Sequence, residues 1–326
     1  MPFSNLVEIQ RAVQILKDGG VVAFPTETVY GLGAVALQEL AVARIFEIKC
    51  RPRFDPLIVH VLDHTWLDRL VVEVPPAARR LAARFWPGPL TLVMPKQDAV
   101  PDIVTAGLPA VGVRVPDHPM ALQLLKKLDL PLAAPSANPF GQVSPTRPEH
   151  VADQLGSEID LILDGGPCSV GIESTVLGLG SDGPRVLRPG GLPVEEIEAV
   201  IGPVKPQSAD VEPRHGESLP SPGMLTRHYA PRTRLVIAES ESATAPAGRV
   251  GLLELGPPSN PSRFTAVETL SDSGDLREAA AGFFAALRRL DGQRLDLIVA
   301  VAFPEVGLGR ALNDRLRRAA VPSVPS

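Results

Sequence analysis

Leu6, Ile9, Val13 and Leu16 recur at helical spacing, which predicts a helix over residues 6–17 that Gly19-Gly20 stops. The apolar run at 21–24 follows as a strand, and a Thr/Gly-rich stretch at 25–33 reads as a loop. A second helix at 39–48 leads directly into Lys49. Apolar runs then alternate with turn residues: a strand at 57–62, a helix at 75–85 and, after Pro87-Gly88-Pro89, a strand at 90–94. Further strands are expected at 111–115, 132–134, 161–163, 174–179 and 185–187, with helices at 120–128 and 149–155. Such alternation predicts a many-stranded α/β domain.

From Gly202 to Pro222 the pattern lapses into Pro, Ser, Glu and Gly with few apolar residues, the composition of a linker. Beyond it, strands at 235–238, 250–255 and 297–302 alternate with helices at 276–290 and 310–320, which reads as a compact, doubly wound, Rossmann-like unit. The expected organisation is a domain at 1–202, a linker at 203–233 and a smaller α/β domain at 234–326.

Composition fits two packed domains, since 326 residues with 44% apolar and 21% charged positions can bury two cores. A net charge of -5 and only 4% aromatic residues argue against a surface built to hold nucleic acid or to stack bases, and favour small-molecule chemistry. Cys50 and Cys168, the only cysteines, are too few for a disulfide framework and are not spaced as a metal or redox pair. With no apolar run long enough to cross a bilayer and no basic, then apolar, leader pattern, the expected location is the cytoplasm.

Lys49-Cys50-Arg51-Pro52-Arg53 places three cations in five residues just after a helix. Arginine binds phosphate oxygens in pairs while lysine acts as a mobile point charge, so the cluster suits a triphosphate; alternatively it complements the helix dipole and faces water. A second cluster, Ala134-Pro135-Ser136-Ala137-Asn138, ends a strand and precedes Val143-Ser144-Pro145-Thr146. Its hydroxyls and amide either organise a turn and cap the next helix or meet a ligand. Arg114, between valines, requires an anion there, either a structural carboxylate or that of a ligand. Glu173-Ser174-Thr175 and Leu187-Arg188-Pro189-Gly190-Gly191 remain open in the same way.

Taken in order, Pro25-Thr26-Glu27-Thr28-Val29-Tyr30-Gly31-Leu32-Gly33, Lys49-x-Arg51-Pro52, Pro56-Leu57-Ile58-Val59-His60 and Pro135-Ser136-Ala137-Asn138 closely resemble the threonylcarbamoyl-AMP synthases. The resemblance covers about Leu6 to Gly191. Ser221-Pro222-Gly223-Met224 through His228-Tyr229-Ala230-Pro231 resembles the linker of the longer, two-domain members, and the likeness continues more loosely to the C-terminus. It implies a YrdC-like fold, a twisted many-stranded mixed sheet with helices around a concave cleft. It also implies synthesis of L-threonylcarbamoyl-adenylate and pyrophosphate from threonine, bicarbonate and ATP. Other proteins then transfer the threonylcarbamoyl group to adenosine 37 of certain tRNAs.

By position in the matched motifs, Lys49, Arg51, Ser136, Asn138, Ser144 and Arg188 are expected around ATP, with Lys49 and Arg51 as the catalytic cations. Thr28, His60, Arg114 and Ser174 are expected to hold threonine, Arg114 pairing its carboxylate, and Ala134 to offer backbone contacts. Mg²⁺ is expected with the triphosphate, without a dedicated carboxylate cage. His228 and Tyr229 are expected either to fold over the site mouth beside the nucleotide or to form a surface hinge. Two nucleotide positions depart from the family pattern. Asp55 stands where asparagine is common, and would repel phosphate unless it faces Lys49, Arg53 or a metal. Ala110 stands where threonine is common and donates no side-chain hydrogen bond. Two rival functions compete with this reading. Hydrogenase-maturation carbamoyltransferases share a related domain but carry cysteine-rich zinc fingers that two cysteines cannot build. A double-stranded RNA-binding module would use a concave basic cleft for RNA phosphates, so direct RNA binding stays open.

Overall fold

A computed structural model describes residues 3–180, 182–206, 218–219, 221–240 and 248–320. Parts of the expected linker and C-terminal domain, 207–217, 220, 241–247 and 321–326, lie outside the described residues. The N-terminal part runs α1 (Phe3–Lys17), β1 (Val22–Phe24), β2 (Gly31–Val35), α2 (Glu39–Lys49), β3 (Ile58–His60), α3 (Leu67–Leu70) and α4 (Pro76–Phe85). It continues with β4 (Leu90–Pro95), α5 (Asp102–Thr105), β5 (Ala110–Arg114), α6 (Pro119–Leu128), β6 (Leu132–Ala133), α7 (Pro148–Leu155), β7 (Leu161–Ile162), β8 (Thr175–Gly180), β9 (Gly183–Arg188) and α8 (Val194–Ile201). Its strands form one mixed sheet of nine, in the order β7-β1-β2-β6-β3-β5-β4-β8-β9.

Apolar residues from both sheet faces pack under the helices. Ile9, Leu16, Leu124 and Leu128 of α1 and α6 cover Val22, Phe24 and Leu132, while Val42, Ile45 and Leu81 of α2 and α4 help bury Leu32, Val59, Leu92 and Val113. Strand β2 was expected as part of a loop. Its sequence, Gly31-Leu32-Gly33-Ala34-Val35, has only one β-branched residue, so propensity hides it. Tertiary pairing makes it a strand: Gly33 lies opposite Val22, and a Cβ there would come within 2.7 Å of the Phe24 ring.

The C-terminal part holds β10 (Leu235–Ala238), β11 (Val250–Glu254), β12 (Ala266–Thr269), α9 (Leu276–Asp291), β13 (Leu297–Val301) and α10 (Leu308–Ala319). Its four strands are all parallel, ordered β10-β13-β11-β12. The two sheets are not independent bodies joined by a loose tether. One apolar cluster includes Val29, Val143 and Ile172 of the first part, Tyr229, and Phe283, Phe284 and Leu312 of the second. Among the described residues no helix is long and apolar enough to cross a membrane.

Candidate active site

Sheet register assembles one wall of a cleft of about 550 Å³. Parallel pairing of β3 with β5 sets His60 beside Arg114, and antiparallel pairing with β6 sets His60 beside Leu132, while Ala134, just past β6, donates its backbone N–H to the Ile58 carbonyl at 2.9 Å. Thr28 comes from the turn before β2, where Thr26 Oγ1 donates to the Val29 carbonyl at 2.6 Å. Arg114 Nη1 donates to Thr28 Oγ1 at 3.0 Å, and its Nη2 forms an ion pair with Glu27. The anion that Arg114 requires is therefore present as a structural carboxylate, yet its Nε has no partner and the side chain lines the cleft. Glu27 also accepts from the Asp117 backbone N–H at 3.0 Å, which fixes the pair from behind.

His60 lies against the Phe24 ring edge, with Nδ1 unpartnered. Burial, followed by the Arg114 charge, pulls its pKa down to about 3, so the imidazole is neutral at physiological pH. Ser174 Oγ hydrogen-bonds Thr91 Oγ1 at 2.8 Å, and Arg188 Nη2 donates to the Ser174 carbonyl at 2.9 Å.

The opposite wall is made of loops. Lys49, at the end of α2, is fully enclosed; its ammonium donates to the Ser136 carbonyl at 2.6 Å and to the Asn138 carbonyl. Burial and the neighbouring Arg51 hold it well below the usual lysine pKa. Lys49 thus clamps the 135–139 loop and does not line the cleft, whereas Ser136 and Arg51 do. Arg51 Nη2 pairs with Asp55 Oδ2 at 2.9 Å and donates to the Pro56 carbonyl at 2.7 Å. Asp55 therefore faces Arg51, a partner the sequence reading did not name, while Arg53 is exposed. Burial pushes the Asp55 carboxyl up, and the Arg51 charge draws it back.

Asn138 Nδ2 donates to the Pro139 and Gln142 carbonyls, leaving Oδ1 unpartnered. Ser144 Oγ donates to Glu173 Oε1 at 2.6 Å. Asn138, Ser144 and Asp55 stand behind the cleft lining, and Ala110 belongs to an adjoining apolar recess of about 610 Å³. That recess shares Ile58 and Pro222 with the main cleft.

His228 and Tyr229 are buried and line the cleft, which rules out a surface hinge. Their segment, 221–231, runs across the mouth as a strap. Arg188 Nη1 donates to the Pro222 carbonyl at 3.0 Å. At Gly223, φ is +76° and a Cβ would sit 2.7 Å from Tyr229 Oη, so both backbone and space require glycine. The His228 ring stacks edge-on against Phe140 and Tyr229, and Arg51 lies 5.8 Å from the Phe140 ring centre. Burial, then the charges of Arg51, Lys49 and Arg188, hold His228 neutral. Its Nδ1 and Tyr229 Oη have no partner.

Sequence reasoning missed three residues of this arrangement. Glu27 sat inside the quoted motif without a role, and Glu173 was noted only as a neighbour of Ser174. Arg315 of α10, fully buried against Glu173, gave no signal, since charge-rich helices ordinarily face water. Every carboxylate at the cleft is taken up by an arginine, and the described residues contain no cluster of three or more His, Cys, Asp or Glu that would cage a metal.

Comparison with known proteins agrees with this geometry. The family model described as telomere recombination matches residues 14–190, more than half of the chain. A second model, the threonylcarbamoyl-AMP synthase C-terminal domain, matches 192–321. The chain is 44% identical to the Bacillus subtilis threonylcarbamoyl-AMP synthase over 97% of its own length and 94% of the relative's. It is 43% identical to the Pyrococcus abyssi enzyme of the same name, covering 96% and 94%. The crystal structure of P. abyssi Sua5 complexed with L-threonine superposes with a TM-score of 0.88 at 42% identity, covering 96% of this chain and 94% of that one. The chain belongs to the threonylcarbamoyl-AMP synthase family.

Proposed function

We propose that this chain converts L-threonine, bicarbonate and ATP into L-threonylcarbamoyl-adenylate and pyrophosphate, acting in the cytoplasm. The threonine amine and bicarbonate give a carbamate and water. A carbamate oxygen then attacks the α-phosphorus of ATP, and pyrophosphate leaves in line. Positioning and charge neutralisation carry such a step, and no covalent protein nucleophile is needed.

The single observation that carries this reading is one cleft with an anion-binding arginine and small polar groups on one wall and a cation set on the other. Arg114, held by Glu27, pairs the threonine carboxylate through its free Nε edge; Thr28, neutral His60, Ser174 and the Ala134 backbone orient the rest. Arg51 and Arg188 meet the triphosphate and offset charge developing on pyrophosphate. Lys49 shapes the 135–139 loop that presents Ser136 and, with Asn138 and Ser144, supports the nucleotide side. The recess containing Ala110 takes the purine ring against Leu57, Val176 and Leu187. His228 and Tyr229 cover the nucleotide and screen the hydrolysable product from water. Among the described residues none form a metal cage, so Mg²⁺ would accompany ATP as its counterion and would help offset the triphosphate charge. The product passes to proteins that transfer the threonylcarbamoyl group to adenosine 37 of tRNA.

The geometry does not favour an RNA-binding module without synthase activity, because Arg51 and Arg114 are buried inside the cleft, within reach of a small ligand but not of a duplex backbone. The test is pyrophosphate release by the purified chain with ATP, Mg²⁺, threonine and bicarbonate. Release that requires threonine is expected; no release, or release indifferent to threonine, contradicts the synthase.

A further inference from the structure

Arg315, the largest fully buried side chain among the described residues, belongs to α10 of the C-terminal part and not to the domain that carries the cleft. Its Nε donates to Glu173 Oε2 at 3.0 Å, and Nη1 donates to the Pro189 carbonyl at 2.7 Å and to Asp314 Oδ2 at 2.9 Å. The guanidinium carbon lies 5.2 Å from the centre of the Tyr229 ring. Next along the helix, Arg318 pairs with Asp314 at 3.0 Å and donates to the Met224 and Leu225 carbonyls at 2.8 and 2.7 Å, which fixes the strap.

Two arginines and two carboxylates make this group charge-balanced, so it adds no net positive charge for phosphate. Its geometry is directional instead. Glu173 passes the constraint to Ser144 through the 2.6 Å hydrogen bond, the Pro189 carbonyl follows Arg188 in the chain, and the guanidinium supports Tyr229. All three are on the side assigned above to the nucleotide. Arg315 touches neither Thr28, His60 nor Arg114, and Ser174, although next to Glu173 in the chain, is held directly by Thr91 and Arg188 rather than by Arg315. A buried guanidinium is costly unless its donors are satisfied, and here Nε and Nη1 of one planar head serve acceptors from three segments while Nη2 is left without a partner among the described residues.

We propose that Arg315 is a positioning residue for the nucleotide half of the cleft, through which docking of the C-terminal domain and binding of ATP favour one another. The proposal rests on the synthase reading for which substrate lies on which wall. Arg315 acts through Glu173, Tyr229 and the Pro189 backbone. Binding of ATP to that wall stabilises the docked arrangement and, by linkage, protects α10.

Arg315→Lys keeps the charge but replaces the fork with a single compact head, which cannot reach Glu173, the Pro189 carbonyl and Asp314 together. In steady-state pyrophosphate release it is expected to raise the ATP KM by about tenfold while the threonine KM changes by less than about threefold. Hydrogen–deuterium exchange on the unaltered full chain gives a readout free of folding defects. Mg²⁺-ATP alone is expected to slow exchange in 308–319, and threonine alone to leave it unchanged. Equal loss toward both substrates in Arg315→Lys, full retention of the ATP KM, or exchange in 308–319 that ATP does not move would each overturn the positioning role. Absence of threonine-dependent pyrophosphate release in the unaltered chain would instead overturn the synthase reading, so the two failures are separable.

Discussion

The wall that carries Thr28, His60 and Arg114 is built on paired strands of one sheet and the turn before β2, whereas the wall with Arg51, Arg188, His228 and Tyr229 is assembled from loops, the end of β9, the strap and helix α10. The strand-built wall is fixed by backbone register and one ion pair, Arg114 with Glu27. The loop-built wall depends on contacts between residues more than a hundred positions apart, such as Arg315 with Glu173. Substitutions on the first wall should therefore act on one substrate, while changes on the second should spread through the domain interface.

The largest expected effect breaks the strand-built wall. Arg114→Ala removes the contact to the amino acid carboxylate, so threonine affinity by calorimetry should fall about 100-fold while ATP affinity changes less than about threefold. The same substitution leaves Glu27 buried without its cation, a loss of about 3–5 kcal/mol in stability. Adding Glu27→Gln should recover much of that stability in urea unfolding but none of the threonine affinity. Equal loss of both ligands would contradict the division between walls.

Acid should act on both walls together. His60 and His228 are neutral when folded, with pKa values depressed to about 3 and well below 6.5 respectively. Below about pH 6.5 the unfolded chain binds protons that the folded chain does not, so stability falls as pH drops from about 6.5 toward 4, by up to about 1.4 kcal/mol per pH unit for each histidine. Urea unfolding at pH 7.5, 6 and 5 measures this slope, and His60→Gln should reduce it by one proton. A stability independent of pH over that range would show that these histidines are not held neutral.

A smaller effect sharpens the loop-built wall. Tyr229 Oη is buried without a partner, so Tyr229→Phe should leave the melting temperature unchanged or slightly higher. If the hydroxyl meets the nucleotide, the ATP KM should rise about three- to tenfold with threonine unaffected. The smallest effect is at Cys50, whose side chain is exposed while its backbone caps α2 in the left-handed region at φ +49°. Cys50→Ser should change activity less than about twofold and stability by less than about 0.5 kcal/mol.

The same contrast governs what the sequence makes legible. Strands β3, β4, β5 and β8 follow from apolar runs of ordinary strand length, and Arg114 stands out because it interrupts such a run, whereas the role expected of His60 rests on the family resemblance. β2 is hidden by its glycines, β12 (Ala266-Val267-Glu268-Thr269) is too short to show a period, and α8 carries two glutamates, Glu195 and Glu196, in its first turn that mask its apolar face. On the loop-built wall, composition suggested a solvated linker where the structure has Ser221, Met224 and Tyr229 buried. Local sequence carries no mark of partners contributed by another domain, so Arg315 could not be read in advance. Lys49 shows the limit from the other side: its motif placed it beside the nucleotide, while its ammonium is spent on the Ser136 and Asn138 carbonyls.

The chemistry itself is tested most directly by mass analysis of the nucleotides formed from ATP, Mg²⁺, threonine and carbon-13-labelled bicarbonate. The account predicts an adenylate that contains threonine and one labelled carbonyl carbon, formed in step with pyrophosphate. Pyrophosphate appearing with AMP alone, or an adenylate without the label, would contradict it.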